Sequence, residues 1–396
     1  MSTFNHHDLR LVDPGFGSSL TSTIIELDSL RNKRLGGGVH PAVFFQLKEI
    51  FQLLESLGSV RIEGNNTTLS EIVEQKIEGS TPKDESSKEI ENMEKAMDFV
   101  DENIRPGSTL DHAFIRELHK IVVSDLKPYP EGEGDRTPGQ YRGHDVSIKH
   151  AEHRPPSHIQ VQSYMDELVN FINASLDKQY LLLNTAISHH RFAWIHPFGN
   201  GNGRVVRLLT YAMLIKQGFN VSEGRILNPT AIFCIDRDKY YSMLALADKG
   251  DVGGILEWSG YVLSGLLEEI NKIDNLLDMN YLVNRILIPA ITTCRNNKSL
   301  GALQADILEI AAKKMVINAG DIHHLMPKQV SAGRSREIRK LKDAGLLLPL
   351  DSRSRISDKG RSYVLAFANS YLLRGVIEAL RKESFLGVQA LDKPKL

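Results

Sequence analysis

Apolar residues recur at helical spacing through most of the chain. Over residues 41–57, Phe44, Leu47, Phe51 and Leu54 fall three and four apart, which predicts an amphipathic helix. Gly58 is expected to interrupt it, with Ser59 as the N-cap of a further short turn. Residues 78–88, EGSTPKDESSK, are polar and turn-rich and read as a loop. The helical pattern returns over 90–123, broken at Arg105-Pro106-Gly107. Residues 127–156 are rich in Pro and Gly, and within them 139–148, GQYRGHDVSI, reads as a small β-hairpin. Two more helices are expected over 161–176 and 180–194, and a strongly apolar one over 205–217 that ends at Gly218. Further helices run to about residue 291.

The last hundred residues change character. A helix over 302–314, a short one over 321–326 and a longer basic one over 328–344 are followed by a strand-turn-strand pattern. That ribbon is expected at 346–350, 351–354 and 355–356. Helix, helix, helix, hairpin is the order of a winged helix. The fold class expected is mainly α, in three regions. Residues 1–94 form a helical N-terminal region, 95–285 a helical core with a small β-hairpin, and 286–396 a winged-helix-like domain.

Charge adds little globally. Forty-eight basic residues face forty-nine acidic ones, so the whole chain presents no field that selects nucleic acid or membrane. Residues 299–361 differ, with twelve Lys/Arg against seven Asp/Glu. Arg334, Arg336, Arg339, Lys340 and Lys342 lie on the basic helix and Arg353 and Arg355 at the expected wing, so DNA is one expected partner of this module. Protein docking or dimerisation is the other. Cys234 and Cys294 show no CxxC spacing, which fits a reducing cytoplasm. Residues 1–10 lack the apolar core of a signal peptide, and no run of eighteen apolar residues occurs, so no membrane partner is expected. The pairs His6-His7, His189-His190 and His323-His324 have no carboxylate or cysteine at metal spacing, and adjacent helical residues point about 100° apart. His150, Glu152 and His153 read as solvated loop residues. No GxxxxGK(S/T) string is present.

The chemistry concentrates in residues 196–207, HPFGNGNGRVVR. His196 is a general-base candidate, since an imidazole titrates near neutral pH. Gly201, Asn202 and Gly203 allow backbone N–H groups to approach an anion closely. Arg204 and Arg207 are three apart and share one face if a helix starts here. The N-terminus of that helix adds partial positive charge at the same place.

This string resembles the signature of the Fic-domain family, HxFx(D/E)GNGRxxR. The segments around Leu118-His119, Gly139 to Arg142 with Val146 and Ile148, and Tyr240-Tyr241 with Leu244 also resemble the family's layout, over roughly residues 95–280. The resemblance implies an all-α core with a β-hairpin flap, and transfer of AMP from ATP to a Ser, Thr or Tyr hydroxyl of a target protein or of the protein itself. On that reading His196 is the base. Phe198, Gly201, Asn202, Gly203, Arg204 and Arg207 bind the nucleotide, the two arginines holding its β- and γ-phosphates. Gln140, Tyr141, Arg142, Val146 and Ile148 form the flap that aligns the target as an added strand. Asn200 stands where the family has an acidic metal ligand, which implies weaker binding of Mg²⁺. Ser59, Glu63 and Gly64 resemble the inhibitory motif (S/T)xxxE(G/N). That likeness implies a bidentate Glu63–Arg207 pair occupying the place of the γ-phosphate. The family also implies pairing as a homodimer. The reading weighed against AMP transfer is a winged-helix transcriptional regulator whose Fic domain is a nucleotide sensor or an inactive enzyme.

Overall fold

The computed structural model describes residues 4–32, 39–82, 84–148, 151–219, 229–351, 355–356 and 361–386. α1 (Ser19–Asn32) is followed by α2 (Pro41–Ile62). Pro41 opens α2, where its missing N–H costs nothing, and the His40 ring accepts from the Ala42 N–H. α2 does not stop at Gly58. There the helix passes so close to Cys234 that a Cβ would lie 2.9 Å from its sulfur, and glycine removes that clash. Ser59 is therefore interior to α2 and not an N-cap.

α3 (Leu69–Glu78) starts at a capping box between Thr68 and Glu71 and ends at left-handed Gly79. α4 (Glu85–Asn103) is capped by Asp84, so it begins inside the segment expected to be loop. α5 (His112–Val122), α6 (His158–Ile172), α7 (Lys178–Ile195), α8 (Asn202–Lys216), α9 (Thr230–Ile235), α10 (Arg237–Ala247) and α11 (Val252–Asp274) complete the core. α7 and α8 are buried on nearly every face, with Leu183, Phe192 and Trp194 on one and Val205, Leu208 and Leu209 on the other. Apolar on all sides, they form the centre, and the others pack around them. The loop joining these two helices is residues 196–201. No helix among the described residues is long and apolar enough to cross a membrane.

Residues 139–148 do not form the expected hairpin. No strand pairing occurs there, and the Arg142 backbone donor that a ladder would use goes to the α7–α8 loop. The Arg142 N–H donates to Pro197 O at 2.8 Å. Its buried guanidinium donates to the carbonyls of His196, His144 and Pro156 at 2.8, 3.0 and 2.6 Å. Arg142 thus acts as a pin where a ladder was predicted.

Beyond the core, α12 (Met279–Tyr281) leads through a π-turn into α13 (Ile288–Asn296), then α14 (Ala302–Lys314), a 3₁₀ turn at His323–Leu325 and α15 (Ser331–Asp343). β1 (Leu347–Leu350) pairs antiparallel with β2 (Ser362–Leu365), and Ile317 bridges to Tyr363 on the other side. The ribbon's second strand is therefore 362–365 and not 355–356, where Ile356 makes a single bridge to Leu350. Arg353 lies outside the described residues. Arg355 pairs with Asp351 at 3.3 Å. α16 (Leu372–Lys382) packs on α13.

α2 belongs to both halves of the molecule. The Gln46 amide donates to Leu365 O at 2.9 Å and accepts from the Phe367 N–H at 2.7 Å. Asn369 donates to Glu49 at 2.9 Å, and Arg374 forms an ion pair with Glu74 on α3.

Candidate active site

The α7–α8 loop is shaped by its own residues. His196 ends α7 at φ 51° and ψ 61°, a left-handed conformation that costs a non-glycine residue about 1 kcal/mol or more. Asn202 closes the loop, its Oδ1 accepting the Phe198 N–H and its Nδ2 donating to Phe198 O, both at 2.9 Å. The Phe198 ring is fully buried and lies flat on His119, centroids 3.8 Å apart. The structure thus puts Phe198 beneath the loop as its foundation. Gly201 is left-handed at φ 75°, and a Cβ there would press on Val123.

His119 ties three pieces together. Its Nδ1 accepts the Gly139 N–H at 2.8 Å, so the proton sits on Nε2, which donates to Asn200 O at 3.1 Å. Burial pushes its pKa down to about 4, and Asp135 opposes the shift. Asp135 Oδ2 in turn accepts the Asn200 N–H at 2.9 Å.

His196 stands at the start of this loop. Its Nδ1 is 3.4 Å from Ala193 O, and a carbonyl can only accept, so the proton sits on Nδ1 and Nε2 carries the lone pair. Burial pushes the His196 pKa down to about 4. Arg142 adds to the shift, while the Ala193 bond and Glu63 oppose it. At neutral pH the ring is the uncharged base.

The two arginines are both buried and both engaged. Arg207 Nε donates to Ser59 Oγ and its Nη2 to Ser59 O, each at 2.8 Å. Nη2 also meets Glu63 Oε1 at 2.9 Å. The pair uses one carboxylate oxygen and is not bidentate, because Ser59 holds the rest of that edge. Burial alone would raise the Glu63 pKa, but the Arg207 charge and hydrogen bond outweigh it and hold it below its ordinary value. Glu63 also occupies the helix entrance, since a Cβ on Gly203 would overlap its Oε1. Arg207 Nη1 has no hydrogen-bond partner among the described residues. Arg204 Nη1 is 2.9 Å from buried Glu89, and its Nη2 donates to Glu133 O at 2.6 Å.

Asn200, the departure from the signature, donates from Nδ2 to Glu133 at 3.2 Å. Gln140 is exposed. The Tyr141 ring lies 5.4 Å from Phe198, and its hydroxyl bonds His112 at 2.8 Å. Val146 and Ile148 are half-buried, and Gly64 follows Glu63 at φ 109°. Among the described residues no group of three His, Cys, Asp or Glu side chains is arranged to hold a metal. Sequence reasoning gave no role to His119, Glu89, Glu133 or Asp135. Each acts across a long chain separation, and only the Asp-x-Thr turn at 135–137 left a local trace.

A neutral base, a helix N-terminus and two buried guanidiniums in one place make an anion site with a proton acceptor beside it. Comparison with known proteins gives the same region a family. Residues 109–214 match the Fic/DOC family, so this part of the chain is a Fic/DOC domain. The chain is 29% identical over 198 residues to the protein adenylyltransferase Fic of Drosophila willistoni, covering 49% of this chain and 36% of that protein. The Drosophila melanogaster protein of the same name is also 29% identical, with 37% of it covered. The chain therefore spans little more than a third of these relatives. A Fic family protein from Desulfovibrio desulfuricans shares the fold at TM-score 0.55 and 17% identity, covering 91% of this chain and 98% of that one. A Fic domain containing signaling protein from Bacteroides thetaiotaomicron does so at TM-score 0.51 and 20% identity, with 66% and 98% covered.

Proposed function

We propose that the Fic/DOC domain at residues 109–214 makes this chain a protein adenylyltransferase that Glu63 restrains. His196 Nε2 accepts the proton of a Ser, Thr or Tyr hydroxyl. The hydroxyl oxygen bonds to the α-phosphorus of ATP, the bond to the β-phosphate bridge breaks, and pyrophosphate leaves. Arg204 and Arg207 neutralise the charge that gathers on the leaving group, and the N-terminus of α8 holds the α-phosphate. Mg²⁺ bound to the polyphosphate would supply further charge neutralisation; Asn200, whose Nδ2 faces Glu133 Oε2 at 3.2 Å, would turn its amide oxygen to the cation beside that carboxylate, and both are oxygen ligands of the kind a hard cation takes.

The observation that carries this reading is the neutral His196 ring in the same loop as the anion cradle. Restraint is supported by Glu63, a carboxylate already seated at the cradle and on Arg207. The segment 143–148, which forms no strand pairing among the described residues, supports alignment of a target strand. The target, the protein's own hydroxyls, a second copy and a cytoplasmic setting belong to the same proposal.

A second reading has one observation in its favour. α2 joins the Fic/DOC domain to the C-terminal module through Gln46, as a sensor requires. The order α14, 3₁₀ turn, α15, β1, β2 supports a winged helix, with α15 toward DNA.

Incubation of the Glu63→Gly variant with Mg²⁺ and α-³²P-labelled ATP separates the two. Label on protein that vanishes in Glu63→Gly/His196→Ala establishes transfer. No label from a folded protein that still binds ATP establishes the sensor.

A further inference from the structure

Asn200 places a neutral amide where a hard cation calls for charge. The structure brings a carboxylate to it from elsewhere. Glu133 lies on the loop after α5, with Oε2 3.2 Å from Asn200 Nδ2 and 3.7 Å from Arg204 Nη2.

That loop is built to hold Glu133 there. The Glu133 carbonyl accepts from Arg204 at 2.6 Å, and the next N–H, on Gly134, donates to Lys127 O at 2.7 Å. A Cβ on Gly134 would clash with the carbonyls of Leu126 and Lys127, so only glycine allows the pinch. Asp135, next along, is spent on the Asn200 and Thr137 N–H groups. Arg204 does not require Glu133, since Glu89 already faces it at 2.9 Å. The Glu133 carboxylate, 41% exposed, thus has the Asn200 amide as its near partner and faces Arg204 only at 3.7 Å.

A separate observation points to a ligand. Among the described residues Arg204 Nε and Arg207 Nη1 are buried without an acceptor, and buried donors of this kind call for anionic oxygens. A polyphosphate supplies them and carries its divalent cation with it.

We propose that Glu133 supplies the carboxylate position 200 lacks, so that Glu133 and the Asn200 amide oxygen together form the hard-cation end of the nucleotide site. The inference rests on the nucleotide reading above.

The test uses the full chain in a Glu63→Gly background. ATP affinity is measured by titration calorimetry with Mg²⁺ or with EDTA, and Mn²⁺ binding by electron paramagnetic resonance with ATP present. Glu133→Gln should cut the metal-dependent gain in ATP affinity by roughly tenfold or more. Affinity in EDTA should be unchanged or tighter. Adding Asn200→Asp to Glu133→Gln should restore the gain. Glu133→Lys, a second variant of the same half-exposed side chain, should abolish it. A full metal-dependent gain in Glu133→Gln overturns the inference, as does ATP binding in the parent that ignores metal. Absence of ATP binding under every condition overturns the nucleotide reading itself.

Discussion

Replacing Glu63 by glycine tests the restraint most directly. Glu63 contributes one charge-assisted hydrogen bond to Arg207, at 2.9 Å, with its side chain 28% exposed. Such a bond is worth about 1.5–3 kcal/mol. If ATP must displace it, the closed state lowers apparent ATP affinity by a factor of about 10–150, since about 1.4 kcal/mol is tenfold. Glu63→Gly should therefore tighten ATP binding by roughly that factor, measured by titration calorimetry with Mg²⁺. It should also lower thermal stability, because Arg207 is left buried with less compensation. That loss stays below the about 3–5 kcal/mol of a fully broken buried pair, since Ser59 still holds Nε and Nη2. Saturating ATP should recover it. Ser59→Ala should give the opposite sign, because it deletes the hydroxyl that holds Arg207 Nε and leaves Glu63 in place. Equal ATP affinity in wild type and Glu63→Gly, within twofold, would refute the reasoning, as would tightening in Ser59→Ala.

Four further outcomes are expected. His196→Ala in the Glu63→Gly background should lose transfer by about 10²–10⁴-fold, with ATP affinity changed only a few-fold. The acid limb of kcat/KM should fall near pH 4 and not near 6.5, because the His196 pKa is pushed down to about 4 and the base form persists. His119 sets a pH dependence of stability. Its folded pKa, about 4, lies below the unfolded value, so its contribution is complete above pH 6.5 and is lost as pH falls toward 4. Urea midpoints should show that slope in wild type and a shallower one in His119→Gln. Gly203→Ala should drive Glu63 from the helix entrance yet still bind ATP poorly, since the methyl fills the space of both anions. Tight ATP binding by this variant would show that the cradle lies elsewhere.

Much of the core was legible because its periodicity is helical and its helices are long. The segment 196–207, a loop and the first turns of α8, stood out because glycine and arginine at fixed spacing suit an anion. The hairpin at 139–148 was not legible. In the structure the segment is turn, bend and irregular chain held by the Arg142 pin on the α7–α8 loop, and no local pattern encodes that pin. Gly58 misled for a related reason. A glycine that ends a helix and one that lets a helix pass a neighbour look alike until Cys234 is placed. Glu133 and Glu89 read as ordinary surface charges, since their partners lie over sixty and over a hundred positions away.

α2 has a mechanical consequence. At about 1.5 Å per residue, its 22 residues make a rod of roughly 33 Å. Gln46 is bolted to the strand that leads into Phe367, and Glu63 caps the far end. A rod fixed at one end transmits displacement rather than absorbing it. If α2 moves as one body, lifting Glu63 from Arg207 would strain the Gln46 bonds, and an event that loosens Gln46 would ease the release of Glu63. By reciprocity, ATP titrated into the chain should report on the distant module as faithfully as a ligand of that module reports on ATP.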